Sequence, residues 1–191
     1  EWYARLGNNI IQLLNVILIG LHFNWNIIIP KHKMFNTTYI VINKNIKNDK
    51  SVKICSSRES RNFFTRNYKR FKKEIFFKNK QEAINILKKC FIINNVKSLG
   101  SNDVLIHLRG GDIFGNKPHP KYVQPPLLFY KTILSNNKFD KIYLISQDTK
   151  NPVLNKLLKL YPNIIFKKNN LIDDIKLVLG SKNIIDSFGT F

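Results

Sequence analysis

Cysteine and acidic side chains are scarce in this sequence, and each scarcity excludes a class of site. The two cysteines, Cys55 and Cys90, provide neither zinc-ligand spacing nor the framework of a disulfide-rich domain. Their small number favours a reducing, cytoplasmic compartment, with a Golgi or ER lumen and an anchor outside this sequence as the alternative. No pair among the 12 acidic residues has the spacing of metal ligands, so no metal cofactor is expected.

The shortage of acids leaves a strongly basic chain. Against 32 Lys and Arg the 12 acids give a net charge of +20 and a pI of about 10.0. Such a charge would suit nucleic acid, an anionic membrane or a negatively charged substrate. Lys, Asn and Ile are all abundant, which is typical of translation from AT-rich DNA, so we expect much of the lysine on solvated faces. Nucleic acid is therefore not the predicted partner.

A clean hydrophobic run of membrane-spanning length is also missing. The apolar run at 10–23 is interrupted by Gln12, Asn15 and His22 and is shorter than the roughly 20 residues that a span needs. It predicts a buried helix, followed by a strand at 26–30. Because the chain opens without Met and stops inside a loop, we expect a piece of a longer protein whose first strand is clipped.

Aromatic rings and cations are interleaved in residues 61–78. Such a segment can stack on and neutralise single-stranded nucleic acid, or it can bury its rings as an amphipathic segment. We prefer the second interpretation, because no RNA-binding signature accompanies the segment. Weaker strands are predicted at 39–42 and 52–55, and a helix at 81–93.

The sequence predicts two α/β domains, residues 1–97 and residues 98–191. In the second domain helices alternate with short apolar strands, the strands lying at 104–108, 141–146, 163–166 and 183–186 and the helices at 125–135, 151–160 and 171–179. This alternation predicts a parallel, doubly wound sheet. The second domain ends just after its fourth strand and is expected to be incomplete.

The stretch 103–112 is the strongest candidate for a binding site. A buried strand runs directly into Arg109, two glycines and Asp112. Ligands of open α/β sheets bind beyond the carboxyl ends of strands, and Arg can hold phosphate oxygens through two parallel hydrogen bonds. Glycines let backbone N–H groups face an anion. The alternative is a surface turn with a solvated Arg.

Four short motifs occur in an order that resembles an enzyme family. Residues 106–112 are similar to His-x-Arg-Arg-Gly-Asp, and residues 5–9 to an Arg-Leu/Phe-Gly-Asn-Gln turn. Residues 142–148 form a strand that ends in an acid, and residues 184–191 contain Ser, Thr and Phe that would close on a nucleotide. Together they resemble the GDP-fucose-dependent fucosyltransferases of the α1,2 and protein-O groups.

The resemblance implies a fold, a reaction and partners. The fold would be GT-B, with two Rossmann-like domains and parallel sheets. The reaction would move fucose from GDP-fucose to a glycan or protein hydroxyl, by the family's inverting mechanism and without a bound metal or other cofactor. The partners would be a GDP-sugar donor and a glycan or protein acceptor.

The resemblance also implies site residues. Arg109 would be catalytic, stabilising the charge that develops on the leaving GDP. The implied donor-binding residues are Arg5, Gly7, Asn8, His107, Arg109, Asp174, Ser187, Phe188, Gly189 and Thr190. Asp112 and Asp148 would support the site.

Some of these roles have alternatives. Asp174, or Asp173 if the register slips, would contact guanine, but either could be a helix-capping charge. His107 could equally be structural. Gly110 stands where the family has its second Arg. A non-catalytic nucleotide-sugar binder and a nucleic-acid-binding protein therefore remain alternatives.

Overall fold

The structure is a computed structural model that describes residues 2–3, 5–45, 73–93, 95–117, 123–166 and 168–187. It contains two compact units, and the second begins at Asn95. The predicted domain boundary lies close by, after residue 97.

The first unit is built on helix α1, Leu6–Phe23. Its other described elements are β1 (Ile27–Ile28), β2 (Tyr39–Ile40), a 3-10 helix (Lys73–Phe77) and α2 (Lys80–Cys90). α1 packs against α2 and the 3-10 helix, and it buries Leu13, Ile17 and Leu18 almost completely. By length and composition α1 could cross a membrane, but 56% of it is buried inside the unit, as in the core helix that the sequence predicts.

Two predictions for the first unit are wrong. α1 begins at Leu6 and not at residue 10, so the predicted turn at 5–9 is mostly helical. Asn9 Nδ2 donates to the Tyr3 carbonyl at 2.8 Å, and the Tyr3 N–H donates to Gln12 Oε1 at 3.0 Å, which fixes the incoming chain against the helix.

The strand pairing is the second correction. β1 and β2 are antiparallel, with Ile27 opposite Ile40, whereas the sequence predicts a parallel sheet. The described connection between them contains no crossover helix, and a parallel pair needs one. The predicted strand at 52–55 and most of the aromatic segment at 61–78 lie outside the described residues.

The second unit alternates strands and helices as predicted. The strands are β3 (Val104–Leu108), β4 (Ile142–Ser146), β5 (Ile164–Phe166) and β6 (Asn183–Asp186), and the helices are α3 (Leu127–Asn136), α4 (Pro152–Leu160) and α5 (Leu171–Gly180). A short 3-10 helix, Gly111–Phe114, follows β3. The four strands form one parallel sheet in the order β5-β4-β3-β6. This confirms an α/β fold with a parallel sheet, compatible with a Rossmann-like fold.

The sheet has a helix layer on each face. Val104, Ile106 and Leu108 of β3 pack with residues of α3 and α4 in one core cluster. The alternate residues of β3, Leu105 and His107, point to the other face, because side chains alternate along a strand.

The strand order creates a switch point at β3. From β3 the chain moves outward to β4 and β5, then returns to place β6 on the other side of β3. In open α/β sheets the crevice beyond the carboxyl ends of two such strands is where ligands bind. Here those ends are Leu108 and Asp186.

Candidate functional site

Ser187 joins the ends of the two central strands. Its Oγ accepts a hydrogen bond from the backbone N–H of Arg109 at 2.7 Å. Its own N–H donates to the carbonyl of His107 at 3.1 Å. Ser187 is buried, and its hydroxyl retains one proton to donate. The residue that the sequence assigns to donor binding therefore also fixes the start of the Arg109 loop.

Asn151 holds the other side of the Arg109 backbone. Its Nδ2 donates to the Arg109 carbonyl at 3.0 Å, while its Oδ1 accepts from the Val153 N–H at 2.9 Å. The second contact caps the N-terminus of α4, where the sequence predicts a helix; the first contact has no signal in the sequence. Arg109 is half-buried, and its amide and carbonyl are both engaged by buried side chains. The backbone from which the Arg109 side chain extends is thus fixed before any ligand arrives.

Asp148 ties the loop after β4 to the loop after β3. Its Oδ2 accepts from the Gly111 N–H at 3.0 Å, and its Oδ1 accepts from the Lys150 N–H at 3.0 Å. Gly111 has φ +72°, a left-handed conformation that favours glycine. The resemblance implies that Asp112 and Asp148 support the site. The structure describes this role for Asp148, whereas the side chain of Asp112 is outside what it describes.

Gly110 lies against the same carboxylate. A Cβ at this position would lie 2.6 Å from Asp148 Oδ1 and 3.2 Å from the Asp148 backbone nitrogen. Any side chain here would have to push the carboxylate away and weaken its bond to Gly111. This is a local physical reason for glycine at the position where the resembling family has its second Arg.

His107 and Asp186 form a close pair across β3 and β6. The two residues are opposite each other in the parallel register. His107 Nδ1 lies 2.6 Å from Asp186 Oδ1, with 14% of the His107 side chain and 52% of the Asp186 side chain exposed. The sequence does not predict a role for Asp186, because the pairing of residues 79 positions apart depends on the strand order.

Asp174 is a half-buried carboxylate in the first turn of α5. Burial raises its pKa above the usual carboxyl range, while a hydrogen bond from Asn169 at 3.1 Å and the nearby charge of His107 act in the lowering direction. A ligand that donates hydrogen bonds would relieve part of the desolvation.

Asp173, the alternative to Asp174, is more exposed and takes part in capping α5. Its Oδ2 accepts from Asn170 Nδ2 at 2.9 Å, and its N–H donates to Asn170 Oδ1 at 3.0 Å. Its carboxylate also lies 3.9 Å from Lys176 Nζ. The N-cap of α5 is thus Asn170, and the Asp173 carboxylate contacts the side chain of that cap.

A cavity of about 350 Å³ lies on the α5 side of the sheet. It is lined by residues of β4, β5, α5 and the segment before β3: Asn95, Lys97, Leu99, Tyr143, Leu144, Ile165, Asn169, Asp173, Lys176 and Leu177. The volume is within the range of small-molecule sites. Arg109 and Ser187 are not among these lining residues, so the cavity is distinct from the contacts at the ends of β3 and β6.

The remaining predicted residues are distributed as follows. In the first unit, Arg5 precedes α1 and is exposed, Gly7 is buried, and Asn8 is half-buried in the first turn. Phe188, Gly189 and Thr190 lie outside the described residues. The structure thus places His107, Arg109, Asp148 and Ser187 at or just beyond the carboxyl ends of the strands of the second unit, and Asp174 in the first turn of α5.

Comparisons with known proteins give no relative. No protein-family model matches the chain, and no curated protein or solved structure matches it. Within the described part of the chain, no group of three or more His, Cys, Asp or Glu side chains is arranged to hold a metal ion.

The Asp148 contacts generate a stability prediction. Asp148→Ala removes the acceptor of two backbone N–H groups, so the free energy of unfolding should fall by about 1–3 kcal/mol. Urea denaturation measures this change. The control is Asp140→Ala. It removes an exposed acid just before β4, at the amino ends of the strands, and should change stability by less than about 0.5 kcal/mol. Equal losses in the two variants would show that Asp148 is only a surface charge.

The pKa of Asp174 generates a second prediction. Because its folded-state pKa is raised, the folded protein binds this proton more tightly than the unfolded chain does. Stability is therefore lost as the pH rises from the ordinary carboxyl range through the raised pKa, and the penalty is fully present above it. Asp174→Asn should raise the Tm at neutral pH and reduce this pH dependence.

The control for Asp174 is Asp173→Asn, read in the same thermal melts. Asp173 has the capping contacts, so its substitution should lower the Tm at neutral pH. If Asp174→Asn also lowers the Tm, Asp174 acts as a favourable helix-end charge and burial is not its dominant effect.

Proposed function

We propose that this chain is a glycosyltransferase that binds GDP-fucose and moves fucose to a hydroxyl of a glycan or protein, with inversion and without a bound metal. The observation that carries the proposal is the fixed Arg109 backbone at the switch point, where its amide bonds to Ser187 and its carbonyl to Asn151. The order of the four motifs supports the same family. The two-domain GT-B arrangement is part of this proposal.

The proposed chemistry needs positive charge where the diphosphate leaves. The bond between the fucose anomeric carbon and the β-phosphate oxygen breaks. The oxygen of the acceptor hydroxyl bonds to that carbon from the opposite face, and the hydroxyl proton passes to water. Negative charge then grows on the diphosphate. A preorganised guanidinium stabilises it well, because the charge appears at a fixed place and Arg can bind two oxygens in parallel. Arg109 takes this role in the proposal.

The remaining roles follow the resemblance. Ser187, with the loop of Phe188, Gly189 and Thr190, would donate hydrogen bonds to the phosphates. Arg5, Gly7 and Asn8 of the first unit would contribute to donor binding. No general base is assigned.

In this proposal Asp174 recognises guanine. Guanine presents N1–H and N2–H₂ donors on one edge, and a carboxylate accepts from both. The half-buried position of Asp174 near His107 supports this role, since an acceptor there gains from a donor ligand.

Nucleotide selection tests the function. GDP should raise the Tm of the protein more than UDP or CMP does, by an amount that follows the ratio of ligand to Kd. Asp174→Asn should weaken GDP by roughly 1–3 kcal/mol, the cost of an imperfectly paired buried group. Asp173→Asn should leave GDP affinity nearly unchanged. Equal shifts with GDP and UDP would remove the guanine assignment.

The same measurement separates two other functions. A single-stranded RNA that stabilises the protein while GDP does not would favour a nucleic-acid-binding protein, which the +20 charge suggests. GDP binding without release of GDP from GDP-fucose would favour a non-catalytic nucleotide-sugar binder, which Gly110 suggests.

Arg109 should matter more for turnover than for binding. Arg109→Ala is expected to reduce kcat/KM by about 10²–10³, as when one preorganised donor to a developing negative charge is removed. Arg109→Lys should restore little, since an ammonium cannot make two parallel bonds. The assay follows release of GDP from GDP-fucose in excess chelator, where the unsubstituted protein should remain active.

Lys117→Ala is the charge-matched control, because Lys117 is exposed in the loop that follows the short 3-10 helix. It should leave turnover nearly intact. The same small loss in both variants would make Arg109 a surface charge. Loss of turnover in chelator, restored by Mn²⁺ or Mg²⁺, would contradict the metal-independent mechanism.

A further inference from the structure

The cavity on the α5 side of the sheet has a floor of strand side chains. Ile142 and Leu144 of β4 belong to the core cluster with α3 and α4, so Tyr143, which lies between them, points to the opposite face. Ile165 is opposite Tyr143 in the register of β4 and β5 and lines the same cavity. Because Ile165 is 36% exposed, the floor is an apolar surface that is partly open to solvent.

One side of α5 forms a wall of the cavity. Asp173, Lys176 and Leu177 line it, and residues three and four positions apart lie on the same side of a helix. Lys176 Nζ lies 3.9 Å from Asp173 Oδ1, whereas Asp173 Oδ2 accepts from Asn170 Nδ2 at 2.9 Å. The one acid of the lining is thus already shared between the cap of α5 and Lys176.

The segment before β3 forms another wall, with Asn95, Lys97 and Leu99. The Leu99 N–H donates to the Gly180 carbonyl at 2.9 Å, and a Cβ at Gly180 would collide with the Lys97 carbonyl oxygen. The segment therefore lies directly against the end of α5, where glycine leaves room for it. Because the fold holds this wall in place, the wall loses little conformational entropy when a ligand binds.

The charge of the lining is positive. Two lysines, Lys97 and Lys176, are set against one acid, Asp173, so one positive charge is left over. Within the described part of the chain, no carboxylate forms an ion pair with Lys97. Asn95 and Asn169 add amide groups to the same lining. A ligand with a single negative charge would balance this set, because complementary charge decides which ligand a site accepts.

We propose that this cavity binds a small amphipathic carboxylate. Its apolar body lies on the floor formed by Tyr143 and Ile165, and its carboxylate pairs with the lysines of the lining. The volume of about 350 Å³ is near the lower end of the range of small-molecule sites, so the ligand is compact, about the size of two fused rings. The site does not rest on the proposed function, since Arg109 and Ser187 do not line it.

Three probes of one shape and different charge test the proposal. We titrate 2-naphthoate, 2-naphthamide and 2-naphthamidine into the whole ¹⁵N-labelled chain and follow backbone amide shifts. 2-Naphthoate should bind about tenfold more tightly than 2-naphthamide, the effect of a charge-assisted hydrogen bond, and 2-naphthamidine should bind least. The shifts should be concentrated at Leu99, Ile165 and Leu177. Equal affinity for the amide, preference for the amidine, or no binding by any of the three would overturn the proposal.

Lysine substitutions locate the charge. Lys97→Gln and Lys176→Gln should each weaken 2-naphthoate about threefold, the scale of a partly exposed ion pair, and leave 2-naphthamide nearly unchanged. Lys156→Gln is the matched control. It removes an exposed lysine from α4, on the other face of the sheet, and so measures the attraction of an anion to the basic chain as a whole. Equal losses in Lys156→Gln and Lys97→Gln would show that 2-naphthoate senses only the overall charge.

A filled floor and a competing nucleotide complete the test. Ile165→Trp should abolish binding of both 2-naphthoate and 2-naphthamide, because the larger ring occupies the cavity, and unchanged binding would place the probes elsewhere. GDP should not displace 2-naphthoate. Displacement would assign the cavity to the nucleotide site and overturn the proposal of a separate one. If GDP does not bind at all, the proposed function fails, while the three probes still decide the cavity.

Discussion

The parallel hydrogen bonding of β6 to β3 is the constraint on which the rest of the candidate site depends. This register places Asp186 opposite His107, and it places the next residue, Ser187, where its hydroxyl meets the Arg109 amide. A slip by one residue would turn both pairs to the wrong faces of the sheet, since side chains alternate along a strand. The same strand order makes β3 the switch point. Fold and site are therefore specified by one strand placement.

The loops at that edge are fixed by side chains that bond to backbone groups. Ser187 and Asn151 engage the amide and carbonyl of Arg109, and Asp148 accepts the N–H of Gly111. Each contact supplies a hydrogen-bond partner to a main-chain group that would otherwise bond to water or have no partner. A loop held in this way loses little conformational entropy when a ligand binds. In the proposed function the Arg109 side chain is the part of this loop that meets the diphosphate. Gly110, packed against Asp148, has no room for a second cation.

Local signals in the sequence predict much of the second unit. The apolar runs give β3 and β6 with their observed bounds, Val104–Leu108 and Asn183–Asp186, and Asn151 before Pro152 predicts the start of α4. These features depend on neighbouring residues only. The antiparallel pairing of β1 with β2, the bond of Asn151 to the Arg109 carbonyl and the pairing of His107 with Asp186 were not predicted, because each depends on how distant segments meet. Arg109 could be predicted because its type and its place after a buried strand lie in one short stretch. Asp186 could not be predicted, because the role of an acid at a strand end depends on which residue lies opposite it on the adjacent strand.

Asp174 shows how its position in the sequence and its burial in the structure combine. Its place in the first turn of α5 suggests a charge that stabilises the helix end, and that expectation needs only the sequence. The structure adds burial, which opposes ionisation, and burial has the larger effect because the pKa of this carboxyl is raised despite the bond from Asn169 and the charge of His107. A helix that needed only a cap has one in Asn170, whose side chain accepts from the Asp173 N–H. A carboxylate kept half-buried beside an existing cap costs the folded state free energy that a hydrogen-bond donor would return. In the proposed function, that imbalance is the physical reason to assign the guanine donors to Asp174.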